Sequence, residues 1–343
     1  MRVTSVVKVV PSAPLHLAHI FNTGRIGDMG NLSDQQRADT YIGIETPEIS
    51  AAVADAHVRI QFHWDTVPNP LIRTHAMPAI GFLTFHITRE IAAFDPENAE
   101  LHRSTHQDYL KTLKQCCNGL FDYFKYSLQN PFIRPFNAGC IENWSWSDEA
   151  GNALHTQPKL NLMAPFPGYP FAFGQPGHGS RPLVRSQEAA LISTIQGRTE
   201  FRVEDQLRAQ AQEAMFEENL RLAVLLLAVS TEVAIKKAFF QTGTAAGEAF
   251  DFLQENRHVE VSPIELIHKV AKHAFGESFH DKHPDAYLSV KHLFQCRNKV
   301  AHKGTATFRG PRELLVALDL QRLHTWWQDS AKLIDWLRQL SVS

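Results

Sequence analysis

Cysteine is scarce in this chain: four residues in 343, at Cys116, Cys117, Cys140 and Cys296, with no CxxC pair and no regular spacing. That excludes a disulfide framework and a cysteine-built zinc module, and makes reduced thiols in a cytosolic protein the expectation. Long apolar runs are missing too. The longest, Leu222–Val229, is far short of the roughly 20 residues a membrane-spanning helix needs. The opening MRVTSVVKVV has no secretory apolar core. The expected protein is therefore soluble and cytoplasmic, with no membrane partner. No charge sign dominates: a net charge of −2 argues against wholesale nucleic-acid binding, so any RNA contact has to come from a local patch.

Several catalytic signatures are absent as well. The glycines of MAPFPGYPFAFGQPGHGSRP (163–182) are not followed by Gly-Lys-Ser/Thr, and neither HExxH nor GxSxG occurs. His102/His106 and His280/His283 have ligand-like spacings but lack cysteine pairs or an HExxH context, so the sequence assigns no metal and no cofactor.

What is present points to two domains. A hydrophobic content of 44% supports folded cores, and 343 residues are enough for two of them. Residues 1–190 read as an α+β domain. Val3–Val10 is valine-rich and closed by Pro11, Ala56–Trp64 alternates apolar and polar residues, and Ile80–Ile87 and Cys140–Ser147 are further strand candidates. In Ala56–Trp64, Val58, Ile60, Phe62 and Trp64 take one face and Arg59, Gln61 and His63 the other. A long helix capped by Ser104 is expected to run to about Gln129, on the spacing of Tyr109, Leu113, Cys117, Leu120 and Phe124. Trp144 and Trp146 share a strand face, which suits a core stripe or a stacking surface. The segment 163–182 closes this domain, with the boundary near 185–200.

From residue 200 to 343 the pattern is helical. Helices are predicted at about 202–241, 263–275, 285–303 and 312–340, broken at Thr242-Gly243-Thr244 and at Gly310-Pro311. Val259–Val261 is the single strand candidate. Four such helices joined by short connections imply an all-α up-and-down bundle.

Chemistry concentrates in YLSVKHLFQCRNKVAHKG (287–304). At 100° per residue, Tyr287, Val290, Leu293, Phe294 and Ala301 form an apolar face with Arg297 near its middle. A guanidinium placed there is costly unless it is paired or borders a site. His302 follows five residues on, and Gly304 reads as a left-handed helix stop. Positions five apart point about 140° away from each other. Either the arginine sweeps round toward His302, or a second copy of the chain completes the site.

Arg297, the polar Asn298 and His302 at a helix end, with an upstream apolar helix carrying an acid (LAVLLLAVSTEVAIKKAF, 222–239), resemble the HEPN superfamily, the higher eukaryotes and prokaryotes nucleotide-binding domain. The resemblance covers about 200–343 only. It implies a HEPN-like helical bundle that forms a homodimer, with a metal-independent ribonuclease site between two subunits and a role in defence or stress response. One branch of the family has tyrosine two residues after the histidine. Gly304 stands there instead, which argues against the tyrosine-dependent variants.

The residue types suit that chemistry. Imidazole exchanges protons near its unperturbed pKa of about 6.5, and a guanidinium holds a fork of donors that matches phosphate. His302 is assigned to proton transfer and Arg297 to charge stabilisation, both as catalytic residues. Asn298 and Glu232 are assigned as supporting residues, Glu232 pairing with Arg297 or with Lys236 at i+4. Lys291, Lys299 and Lys303 are the RNA-binding candidates, in a stretch where basic residues and histidines crowd against Glu277, Asp281 and Asp285. Two alternatives stand beside the nuclease. In one, the bundle binds RNA or a nucleotide, or dimerises, without catalysis, and Arg297 is a structural ion-pair partner. In the other, the chemistry lies in 1–190, the part otherwise expected to take a regulatory partner or ligand.

Overall fold

The computed structural model describes residues 1–18, 33–68, 76–95, 98–154, 182–240, 262–310 and 314–340. The chain divides into two compact units, Met1–Glu200 and Phe201–Ser343. Most of the proline–glycine segment 163–182, the break at Thr242–Thr244, the strand candidate Val259–Val261 and Pro311 lie outside the described residues.

The first unit is built on a five-stranded sheet. Its strands are β1 (Arg2–Val9), β2 (Glu48–Val53), β3 (Ala56–Pro68), β4 (Ala76–Glu90) and β5 (Ile141–Ser147). They lie in the order β2-β3-β4-β1-β5, every neighbouring pair antiparallel. Strand alternation separates the two faces. Val3, Val7 and Val9 on β1, Val58, Ile60 and Phe62 on β3, and Leu83, Phe85 and Ile87 on β4 are all buried on one side. The other side carries a polar row in which Gln61 donates to Glu48 at 3.1 Å and meets His86 at 3.0 Å, while Thr84 meets His63 at 2.9 Å. The alternation read in Ala56–Trp64 holds as far as His63, where the register with β4 shifts.

A short helix α1 (Asp34–Ala38) precedes the sheet's second strand, and the long α2 (Ala99–Asp122) covers its apolar face. The Tyr109 hydroxyl donates to the Val3 carbonyl at 2.8 Å, and Arg89 donates to Thr112 at 2.7 Å. Ser104 is not the cap. Asn98 is, accepting from the Leu101 amide at 3.0 Å, and the helix runs past Asp122 into a π turn, Tyr123–Ser127. Helix α3 (Glu188–Ile195) packs against α2 so closely that a Cβ on Gly119 would come within 2.7 Å of the Ile195 Cα.

The second unit is mainly helical: α4 (Val203–Phe216), α5 (Leu220–Phe239), α6 (Pro263–Glu265), a π turn (Leu266–Val270), α7 (Ala271–Phe275), α8 (Phe279–Lys282), α9 (Pro284–Lys303) and α10 (Leu320–Leu340). The helix expected over 202–241 is two helices. Glu218 breaks it at a φ of 56°, and Asn219 restarts it by accepting from the Leu222 amide at 3.3 Å. The expectation of an all-α second part needs correction too. After Gly304 the chain forms a hairpin, β6 (Thr307–Arg309) with β7 (Leu315–Ala317), so α10 begins at Leu320 and not near 312. Leu315, inside the helix expected over 312–340, is instead exposed on β7.

Leu227, Leu266, Phe279, Val290, Leu293, Leu323, Trp326, Leu333 and Trp336 form the core of this unit. Several polar groups at its edge are paired, as burial favours. Trp336 donates to Glu277 at 2.9 Å, Lys237 meets the buried Glu204 at 2.8 Å, and the Arg208 guanidinium lies 4.1 Å over the Trp327 ring. Sheet first, helices after: the chain is α+β. All four cysteines are free, and among the described residues no helix is long and apolar enough to cross a membrane.

Candidate functional site

Helix α9 positions most of the candidate residues. Pro284 fits its first turn, where an N–H would have no helical partner anyway. Gly304 ends it with φ 64°, donating to the Val300 carbonyl at 3.0 Å. Ala286, Val290, Leu293, Phe294, Cys296 and Val300 are buried. Ala301, assigned to this face from the sequence, is exposed, and Val300 takes its place.

Arg297 sits on the core side of the helix, yet its side chain stays 36% exposed. Its Nη2 lies 3.4 Å from Glu232 Oε2 on α5, and its Nη1 donates to Asn298 Oδ1 at 3.0 Å. Glu232 also takes Lys236 Nζ on its other oxygen, at 2.9 Å. Both partners considered for this acid are thus present, and Lys236 is the nearer. Arg297 keeps donors free, because a guanidinium carries five N–H groups.

His302 lies in the last turn of α9 and is exposed; among the described residues no hydrogen bond or ion pair engages it. Arg297 is held toward Glu232 on α5 and Asn298, and no hydrogen bond joins it to His302. Lys291, Asn298 and His302 stand at i, i+7 and i+11, which places them within about 40° of one another around the helix. They form an exposed stripe, with Lys299 about 60° to its side. Among the described residues Lys291, Lys299 and Lys303 make no ion pair, whereas Lys269, Lys272 and Lys282 meet Glu265, Asp281 and Glu277. The cationic surface thus narrows to α9 itself.

Beside the stripe, His292, Phe308, Val316, Arg322, Thr325 and Trp326 line an open pocket of about 300 Å³. Its floor is aromatic and its rim polar. Burial, with Lys291 and Arg322 nearby, pushes the His292 pKa down and favours the neutral ring. The hairpin that supplies Phe308 and Val316 leaves no trace in the helical pattern, and nothing in local sequence pairs His292 with Arg322.

A second group also escapes sequence reasoning. His268 on the π turn, His280 and Asp281 on α8 place one ligand atom each within 4.8 Å of one another. The sequence pairing of His280 with His283 is not the one made: His283 packs on Phe279, with ring centroids 5.3 Å apart. His102 and His106 stack with each other and toward Trp144, and no third ligand joins them among the described residues. Trp144 and Trp146 stack at 5.6 Å; Trp146 is buried against Tyr109 and belongs to the core of the first unit, whereas Trp144 is only partly buried.

Comparison of the chain with protein-family models, with curated proteins and with solved structures finds no match.

Proposed function

We propose that Phe201–Ser343 is a HEPN-like helical bundle and that the protein is a metal-independent endoribonuclease, its site completed by a second copy of the chain. One observation carries this reading. A cation on the core side of α9 stays 36% exposed with donors to spare, one hydrogen bond away from a stripe that ends in an exposed histidine.

RNA cleavage without metal needs a base for the 2′-hydroxyl, an acid for the 5′-oxygen and positive charge at the pentacoordinate phosphorus. The 2′-oxygen attacks phosphorus as its proton leaves, and the bond to the 5′-oxygen breaks as that oxygen takes a proton. His302 from each of two copies supplies one of these transfers. Arg297 steadies the phosphate charge, and its Glu232 and Asn298 contacts set its direction. Lys291, Lys299 and Lys303 hold the RNA backbone. The first unit then serves recognition of a substrate, a signal or a partner.

The test is incubation of the purified protein with RNA in excess chelator, beside Arg297→Ala and His302→Ala. Cleavage by the parent that each substitution lowers by about a hundredfold or more supports the proposal. A parent that binds RNA and leaves it intact sinks it. That outcome favours a non-catalytic RNA-binding bundle, which the divergent directions of Arg297 and His302 within one chain would suit.

A further inference from the structure

We propose that His268, His280 and Asp281 form a binding site for one divalent transition-metal ion of the zinc class, with a fourth position open to solvent. The site does not rest on the nuclease reading, since neither Arg297 nor His302 belongs to it.

Three donors from two separate elements already converge. Their ligand atoms lie within 4.8 Å of one another, and His280 Nδ1 is 3.1 Å from Asp281 Oδ1. Zinc bonds of about 2.0–2.1 Å in a tetrahedron put donors roughly 3.3 Å apart. The His280–Asp281 pair meets that spacing, and His268 closes the rest by a rotation of its ring. Two imidazoles with one carboxylate select zinc, cobalt, nickel or copper over magnesium and calcium, which prefer all-oxygen shells.

The surroundings hold these donors in place. His268 is carried by the π turn Leu266–Val270, the wider coil that often marks a site within a helix. The two rings stack at 4.4 Å, and the Tyr287 ring meets both edge-on, at 5.5 and 4.8 Å. Ser278 caps α8 by accepting from the Asp281 amide at 3.1 Å, which fixes the backbone that carries two of the ligands. Lys272 Nζ sits 2.9 Å from Asp281 Oδ2, leaving the other oxygen to face His280. In the metal-free protein that lysine supplies the positive charge that the ion would supply.

The last point gives the site a signature that adventitious binding at surface histidines lacks. Losing a ligand weakens binding, but losing Lys272, whose positive charge on the same carboxylate repels a bound cation, strengthens it. The experiment is titration of the full-length, tag-free protein with Co2+, followed by visible absorption, then competition with Zn2+. The parent binds one equivalent; His268→Gln and His280→Gln each lower affinity by about a hundredfold, and Lys272→Ala raises it severalfold. Circular dichroism checks that each variant folds. Should a histidine variant fail to fold, Lys272→Ala alone decides, because its side chain is exposed. The proposal is overturned by a parent that takes up no stoichiometric cobalt, by uptake that both histidine substitutions leave unchanged, or by Lys272→Ala binding no tighter than the parent.

Discussion

Asn298 Oδ1 accepts from Arg297 Nη1 at 3.0 Å, so the cation on the core side of α9 is tied to the middle residue of its exposed stripe. Adjacent residues on a helix diverge by about 100°, and only a long guanidinium reaching back makes such a link. Asn298→Ala removes the acceptor and leaves Arg297 held by Glu232 alone. RNA cleavage is expected to fall about tenfold, since a misdirected arginine still carries its charge. Asn298→Asp keeps the acceptor but adds a negative charge beside the phosphate site, and is expected to weaken RNA binding more than Asn298→Ala does. Steady-state cleavage and filter binding on the same variants read the two effects apart.

Glu232 holds two cations, at 2.9 Å and 3.4 Å, with 22% of its own side chain exposed. Replacing it with glutamine keeps the shape and removes the charge. Partly exposed pairs contribute little each, so the expected loss is about 1 kcal/mol by urea denaturation. The same change frees Arg297 from its inner anchor. If that anchor aims the arginine, cleavage drops further than the stability loss explains. A Glu232→Gln protein as active as the parent would mark the pair as structural.

Some of this is legible in the chain itself, and the rest is hidden for physical reasons. An acid inside an apolar helix has to find a cation, so the partnership of Glu232 with Arg297 and Lys236 is readable from residue order alone. The alternation in Ala56–Trp64 is equally plain, because a half-buried strand imposes it. β2, by contrast, reads EISAAV, and its two alanines blur the contrast between faces. The β6–β7 hairpin has three residues per strand, too few for any period to show. His268 joins His280 only because a π turn carries it to α8, a geometry that local spacing does not encode. The shift from Ala301 to Val300 on the buried face is a small rotation error that a 100° wheel cannot resolve near a helix end.

Gly119 marks a place where α2 and α3 touch through backbone. A Cβ there would stand 2.7 Å from both the Ile195 Cα and the Thr194 carbonyl oxygen. Neither atom belongs to a flexible side chain, so relief requires the helices to part. Although alanine is the better helix former, Gly119→Ala is expected to destabilise the first unit by about 1–3 kcal/mol, the usual cost of overpacking. A chemical melt checks this, and unchanged or greater stability would show that the two helices separate freely.

His16 lies between the fully buried Leu15 and Leu17, and burial lowers its pKa from 6.5 to about 4. In the unfolded chain the ring takes its proton near 6.5, while in the fold it stays neutral down to about 4. Between these values the unfolded state binds more protons, so stability falls as pH drops through that window and His16 adds nothing further below it. His63, His86 and His106 in the same unit move the same way, each first through burial, so the whole sheet–helix unit weakens in mild acid. For His16 alone the loss between pH 7 and pH 4 is expected to be about 2 kcal/mol, less than the full shift implies because the ring keeps some contact with water. Carboxylates begin to titrate at the lower end and would blur a single curve. Comparison with His16→Gln removes that ambiguity, since the variant keeps every carboxylate and loses only this proton site. Urea melts across the window are expected to show the variant's stability declining less steeply than the parent's, and two parallel curves would mean that the ring is protonated as readily in the fold as outside it.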